Sequence, residues 1–278
     1  MKKLVSILAI ALTIIAHVSA QELKLEKIKF GDMNQWVTRD IKESGIIGGH
    51  TKTLYEIAPN MKYDGARAYS NMGGSPWATS NVYAKVAGIV KTSNAVWREA
   101  RDSGNYCAKM STVMENVKAL GIINMDVMVS GSIFLGEVFE PISSTKNPYS
   151  KMEMGIPFTK RPDYLVYDYK VLVPSGSRIY SSGFGSKKTL PGQDYAEVYV
   201  LLQKRWEDAD GNLHALRVGT GRERFGATTK DWNNGHKLPI HYGDITNESF
   251  YKPYMDLIPA DRAYYARNSK GKMVPVVE

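Results

Sequence analysis

The side chains best suited to chemistry lie on two alternating segments and in two loops. In Tyr195–Trp206, one parity carries Ala196, Val198, Val200 and Leu202, and the other carries Tyr195, Glu197, Tyr199, Gln203 and Arg205. In Tyr164–Val173, Leu165, Tyr167, Tyr169, Val171 and Val173 share a parity, and Asp168 and Lys170 take the opposite one. A two-residue period sends alternate side chains to opposite sides of a strand. If the two strands are neighbours about 4.8 Å apart, Asp168 and Lys170 join Tyr195, Glu197, Tyr199 and Arg205 on one face. Such a face offers ring planes for stacking and charged groups for hydrogen bonding. The solvated side of an ordinary antiparallel sheet carries the same residue types, so the pattern admits both readings. Trp77, after the loop Gly73-Gly74-Ser75-Pro76 and with Asn81 close behind, is a further stacking candidate; it also fits a plug at one end of a core. Trp232, in Asp231-Trp232-Asn233-Asn234-Gly235, has polar neighbours. Trp36 and Trp97 read as core, and Trp206 stands open between the two roles.

Other chemistries find little support. Cys107 is the only cysteine; with no histidine near it in sequence, it reads as a small buried hydrophobe and not a nucleophile. His236 and His241 are separated by Pro239, which excludes a two-ligand helix, and no metal site is expected. Asp208-Ala209-Asp210-Gly211-Asn212 resembles a calcium loop superficially, but Gly219 stands where a bidentate glutamate is required, so a plain turn is expected and no cofactor is assigned. Structural calcium stays an open alternative. Gly183-Phe184-Gly185-Ser186-Lys187 lacks the strand–turn–helix setting of an esterase serine.

The elements that must position these groups read as strands. The turn at 208–212 joins Tyr195–Trp206 to Leu213–Val218 as a hairpin, and Asp102-Ser103-Gly104-Asn105 joins Val96–Arg101 to Tyr106–Met110. Met125–Val138 is another strand, with Gly131 and Gly136 as bulge positions. Met110, Val113, Met114, Val117 and Leu120 recur at helical spacing, so a short helix is expected at 112–120. Gly and Pro are scattered through the chain and not gathered into a linker, so a single β-domain is the economical reading. Met273-Val274-Pro275-Val276-Val277 looks like the start of a strand that Glu278 cuts short, leaving an unpaired apolar edge.

Lys2 and Lys3, the apolar run Leu4–Val18 and the small-residue exit Val18-Ser19-Ala20 have the order of a secretory signal peptide cut after Ala20. The run of about 15 residues is short of the ~20 that a spanning helix needs, and no later segment spans either. Removing residues 1–20 leaves 258 residues (21–278) and lowers the net charge from +8 to +6, since only Lys2 and Lys3 are lost. Lys and Arg are interspersed with acids, as in Arg222-Glu223-Arg224, so nucleic-acid binding is not expected. The expectation is a secreted protein, periplasmic or at the cell surface. Its oligomeric state is not legible.

Phe30-Gly31-Asp32-Met33-Asn34-Gln35-Trp36, Glu43-Ser44, Gly48-Gly49 and Pro76-Trp77-Ala78-Thr79-Ser80-Asn81-Val82 occur in that order. Gly155-Ile156-Pro157-Phe158-Thr159-Lys160-Arg161-Pro162, Tyr167-Asp168-Tyr169-Lys170 and Glu197-Val198-Tyr199-Val200 follow. Over nearly the whole mature chain this succession resembles the putative carbohydrate metabolism domain (PCMD) of Bacteroidetes secreted proteins. The resemblance implies a jelly-roll sandwich and a carbohydrate role; with the spacing at 112–120, the expected fold is all-β with one or two short helices. It also implies closing strands beyond Glu278 that this chain lacks. It supplies no catalytic residues. On that basis the aromatic and charged groups become sugar contacts: Trp77, Asn81, Asp168, Lys170, Tyr195, Glu197, Tyr199, Arg205 and Trp232. The leading expectation is a glycan-binding accessory domain. A glycoside hydrolase is the alternative, needing two carboxyl groups about 5–5.5 Å or about 6.5–9.5 Å apart; Asp168 with Glu197 is the pair that parity favours, with Glu137 more remote. A structural or adhesive surface protein is the third reading, so whether the chain is an enzyme stays open.

Overall fold

The alternating segments do form strands. A computed structural model describes residues 24–119, 123–143, 147–176, 179–181, 183–184 and 188–278; the expected signal peptide, 1–20, lies outside them. β1 (Trp36–Lys42) buries Trp36, Val37, Arg39 and Ile41, and pairs antiparallel with β2 (Thr51–Ile57) and parallel with β3 (Met61–Asp64). Then come β4 (Trp77–Thr79) and two hairpins, β5 (Val82–Val86) with β6 (Ile89–Ser93) and β7 (Val96–Ala100) with β8 (Tyr106–Met110). The second turns at Asp102–Asn105 as expected, with Ser103 and Gly104 at φ of 48° and 79°.

The next segment departs from expectation. Residues expected as a helix at 112–120 form β9 (Val113–Ala119), antiparallel to β10 (Ile123–Val129). Val113, Glu115 and Val117 also satisfy a two-residue period, and an available partner strand decides between two periods that a short segment cannot separate. Met125–Val138 is broken in two. β10 ends at Val129 and β11 (Ile133–Val138) begins beyond Gly131, where a Cβ would fall 2.3 Å from the Ser111 nitrogen.

The chain continues through β12 (Met152–Met154), β13 (Tyr164–Tyr169), β14 (Ile179–Ser181), β15 (Gly183–Phe184) and β16 (Lys188–Leu190). The long strands β17 (Ala196–Glu207) and β18 (Leu213–Phe225) form the hairpin that the sequence signals. β19 (Asn233–Pro239), β20 (His241–Tyr242), β21 (Tyr264–Arg267) and β22 (Met273–Val277) complete the order. The largest sheet runs β17-β18-β22-β21-β12-β11-β4, with β20 also on β18. Helical structure is limited to short 3-10 turns, so the described chain is all-β, with several sheets as in a β-sandwich. β22 is not an unpaired edge: it pairs antiparallel with β21 and parallel with β18, and Val276 is buried with Leu213, Ala215 and Ala266. A second core unites Trp36, Ile57 and Val96 with Tyr55, Trp77 and Ile133.

The first sheet also buries a charge. Arg39 of β1 is fully inaccessible and donates to Glu140 through Nη1 at 2.8 Å and Nη2 at 2.5 Å. Its Nη1 also lies 3.3 Å from Glu56 Oε1 of β2, and Thr79 of β4 donates to Glu56 Oε2 at 3.0 Å. Burial acts against the charge on Arg39, but the Glu140 carboxylate outweighs it. Two carboxylates then compete for one cation. The Glu56 carboxyl is pushed up to about 8, first by burial and then by repulsion from Glu140, against the opposing pull of Arg39. A folded-state value above the unfolded one stabilises below the unfolded value and loses that contribution as pH rises through the folded value. The melting temperature is therefore expected to fall between about pH 5 and pH 9. Glu56→Gln, which keeps a neutral group of the same shape, should flatten that slope and melt above the parent at pH 9; an unchanged slope by calorimetry would refute the assignment.

Candidate functional site

The two strands that carry most of the expected site are not neighbours. β13 pairs with β19, whereas β17 pairs with β18. Asp168 and Glu197 therefore stand in different sheets, each bound to its own arginine, and the face proposed to unite them does not exist. Two-residue periodicity states which side a residue takes but not which strand lies beside it.

Tyr195, Glu197, Tyr199 and Arg205 keep their shared parity along β17, yet that side is half covered. The Glu197 carboxylate accepts from Arg222 and lies 3.4 Å from Arg224. The Tyr199 hydroxyl is 2.8 Å from that of Tyr264, with Arg222 over the Tyr199 ring at 4.9 Å. Arg205 turns inward, donating to the Met154 carbonyl at 2.7 Å and to Gln203 Oε1 at 2.9 and 2.7 Å. Tyr195 stays exposed but lies edge-on to Gly226. The cover comes from residues 254–278: Tyr254 lies under Arg224, and Glu278 binds Arg217 and Gln203.

Trp77 and Asn81 are structural. Trp77 is a plug of the Trp36 core, and its indole donates to the Lys29 carbonyl at 2.9 Å. Asn81 is buried with its side chain saturated. Its Nδ2 donates to the Tyr55 and Val96 carbonyls at 2.9 and 3.0 Å, and its Oδ1 accepts from the Ala95 and Val96 nitrogens at 2.9 Å each. Trp206 is half exposed and stacks on His214 at 5.6 Å. Cys107 is only partly buried, its thiol pushed up by desolvation.

Asp168 and Trp232 do converge, through a bulge. Tyr167 faces His236 and Tyr169 faces Asn233, so Asn234 and Gly235 of β19 together oppose Asp168 of β13. Gly235 takes φ +65°, as the left-handed position of such a bulge prefers. Its nitrogen donates to Asp168 Oδ1 at 2.7 Å. Asp168 Oδ2 accepts from Arg101 Nη1 at 2.8 Å, Arg101 Nη2 donates to Asn234 Oδ1, and the guanidinium lies over the Trp232 ring at 4.2 Å. The Gly235 hydrogen bond and the Arg101 charge hold the Asp168 carboxyl below its ordinary range, against desolvation. Each carboxylate oxygen carries one of the two bonds it can accept. Lys170 Nζ and Asn234 Nδ2 make no hydrogen bond among the described residues.

Beneath the bulge, the inner side of β13 is pinned to β18. Tyr167 donates to Glu223, and His236 Nε2 lies 2.9 and 3.0 Å from the Glu223 oxygens. Tyr169 stacks on Phe225 at 4.5 Å, and His236 stands edge-on to Tyr167 and Tyr169 at 5.3 and 5.2 Å. The Tyr167 hydroxyl is pushed up by burial and by the carboxylate it serves, so it stays protonated.

Sequence reasoning missed Arg101 and Asn234, because Arg101 lies at a hairpin turn and Asn234 in a bulge, where no period constrains the side chain. It also left out Glu223 and His236, whose link across two hairpins has no local trace; the dipeptide Asn234-Gly235 was the one available turn signal. The chemistry offered is an indole and guanidinium stack beside a carboxylate and an amide. Among the described residues, no group of three or more His, Cys, Asp or Glu side chains is placed to hold a metal ion, and no helix is long and apolar enough to cross a membrane.

A family model described as "Putative carbohydrate metabolism domain" matches residues 50–231. That segment contains Arg101 and Asp168 and ends one residue before Trp232. No curated protein and no solved structure matches the chain.

Asn81 and Trp232 should separate in stability. Asn81→Ala strands four buried backbone groups and is expected to lower unfolding free energy by about 3 kcal/mol or more, whereas Trp232→Ala should change it by about 1 kcal/mol or less. Urea titrations check both, and a near-neutral Asn81→Ala would contradict the structural role.

Proposed function

This chain belongs to the putative carbohydrate metabolism domain family, and from that premise we propose that it is a secreted glycan-binding domain whose contact site is the bulge at Asp168, Arg101, Trp232 and Asn234. One observation carries the reading: three separate segments, the end of β7, β13 and the start of β19, deliver an aromatic plane and hydrogen-bonding groups to one surface point. A sugar has C–H faces that stack on a ring and a hydroxyl rim that needs charged or amide partners, and this set supplies both. Arg101 is held by two oxygen partners and orders the indole before any ligand arrives, which lowers the ordering cost of binding.

Binding is favoured over hydrolysis by the state of Asp168. A general acid must keep a proton near neutral pH, and Asp168 is held in the opposite direction by a backbone N–H and a guanidinium. The partner carboxylate expected for it, Glu197, is bound to Arg222 and Arg224 in another sheet. The signal-peptide pattern supports export to the periplasm or cell surface; the intact mass of exported protein should begin at Gln21, and a species retaining residues 1–20 would count against it.

The proposal is tested on a glycan array followed by calorimetric titration of the best hit. Trp232→Ala should weaken binding at least tenfold with an unchanged melting temperature, and Arg101→Ala should do so by a similar factor. Silence of the parent protein across plant, host and microbial glycans would overturn the reading.

A further inference from the structure

A concavity that contains none of the bulge residues lies between the 3-10 turn Pro148–Lys151 and the hairpin joining β21 to β22. It has a volume of about 400 Å3 and is lined by Phe139, Ser150, Lys151, Arg267, Lys272 and Met273. That volume falls within the roughly 300–1,000 Å3 of small-ligand sites. Three of the lining groups are cations and none is an acid.

The walls are fixed by contacts that leave the lysines free. The Phe139 nitrogen donates to the Lys151 carbonyl at 2.7 Å, tying the end of β11 to the turn. Arg267 stacks over the Phe139 ring at 4.1 Å, while its Nε and Nη2 donate to Glu153 at 2.9 Å and Glu137 at 3.2 Å. Both carboxylates engage Arg267, so the arginine is locked in place and its charge is answered. The hairpin turn is set by Asn268, whose Oδ1 accepts from the Lys270 and Lys272 nitrogens at 3.1 and 3.0 Å and whose Nδ2 donates to the Gly211 carbonyl at 2.9 Å. Lys151 and Lys272 form no ion pair among the described residues. Two uncompensated ammonium groups on a rigid, partly apolar wall form a receptor for an oxyanion borne on a ring.

We propose that this pocket binds an anionic sugar residue, one carrying a carboxylate or a sulfate ester, with Lys151 and Lys272 on the oxyanion and Met273 and the Phe139–Arg267 stack against the ring. The sugar part rests on the glycan-binding reading; the oxyanion part does not. It assigns a ligand class to a site separate from the Trp232 bulge and accounts for a pocket that the bulge site does not use.

Calorimetric titrations with trigalacturonate, its methyl ester, a chondroitin sulfate tetrasaccharide and inorganic phosphate test it. At least one of the two charged oligosaccharides should bind. That binding should weaken at least tenfold in Lys151→Ala/Lys272→Ala, whose melting temperature is expected to match the parent, and several-fold between 50 and 300 mM salt. Lys272→Glu should abolish it, and Trp232→Ala should leave it intact. The pocket assignment falls if neither charged oligosaccharide binds, if the lysine variants bind like the parent, or if the methyl ester binds as tightly as the acid. Phosphate binding as tightly as the oligosaccharides would overturn the sugar part. Loss of array binding in Trp232→Ala with no lysine dependence would sink the pocket alone. Lysine-dependent titrations beside glycan-array binding that neither the lysine variants nor Trp232→Ala weakens would sink the bulge site alone.

Discussion

A guanidinium shut away from water must be met by carboxylates, and the answer to that demand joins two of this molecule's sheets. Arg39 comes from β1, Glu56 from β2, Thr79 from β4 and Glu140 from the chain following β11. The first two strands belong to the β2-β1-β3 sheet, and β4 and β11 to the large one. Leaving a buried charge unpaired would cost about 3–5 kcal/mol, so neither sheet can shift without exposing or orphaning the cluster. Glu140 also accepts from the Tyr69 nitrogen at 2.8 Å, which anchors the loop leading to β4. The proton that Glu56 retains follows first from burial and then from sharing one base with a second acid.

A different constraint governs the far side. β18 carries Gly219 and Gly221 where β19 and β20 come closest. A Cβ on Gly221 would fall 2.8 Å from the Pro239 carbonyl, and one on Gly219 would press on Ile240 and Tyr242. Absence of side chains at these two positions lets the β13–β19 pair settle against the long hairpin. Tyr167, Glu223 and His236 then fasten it from beneath. With its inner side held, the bulge turns Asp168 and Asn234 outward toward Arg101, which arrives from the unrelated β7–β8 hairpin. The site is thus a consequence of close backbone approach beneath it, and its rigidity is inherited from the scaffold.

Legibility followed the range of the interaction involved. The β7–β8 and β17–β18 hairpins were readable because turn residues and flanking alternation lie within a few positions of each other. At 112–120 the same local evidence misled, since Val113 and Val117 fit a helical and a strand period equally, and β10 supplied the missing partner. The premise that β13 lies beside β17, which put Asp168 with Glu197, fails, since β13 pairs with β19; Asp168 instead meets Trp232 through the shared Arg101. Asn81 reads as a ligand contact because it follows closely behind Trp77; its four backbone partners, each 14 to 26 residues away, make it a brace.

By itself, then, the sequence determined the all-β class, the two clear hairpins, the side each alternating residue takes and the family. These depend on local turn chemistry, two-residue periodicity and the order of short motifs, all properties of neighbouring residues. Tertiary structure alone decided that residues 254–278 cover the Glu197 row, that β22 is paired on both sides, and that Arg101 meets Asp168 across 67 positions. Those outcomes rest on which strands and loops meet in space. That choice is made by the whole chain at once, as buried charges find partners and glycines permit approach, and no short window of residues records it.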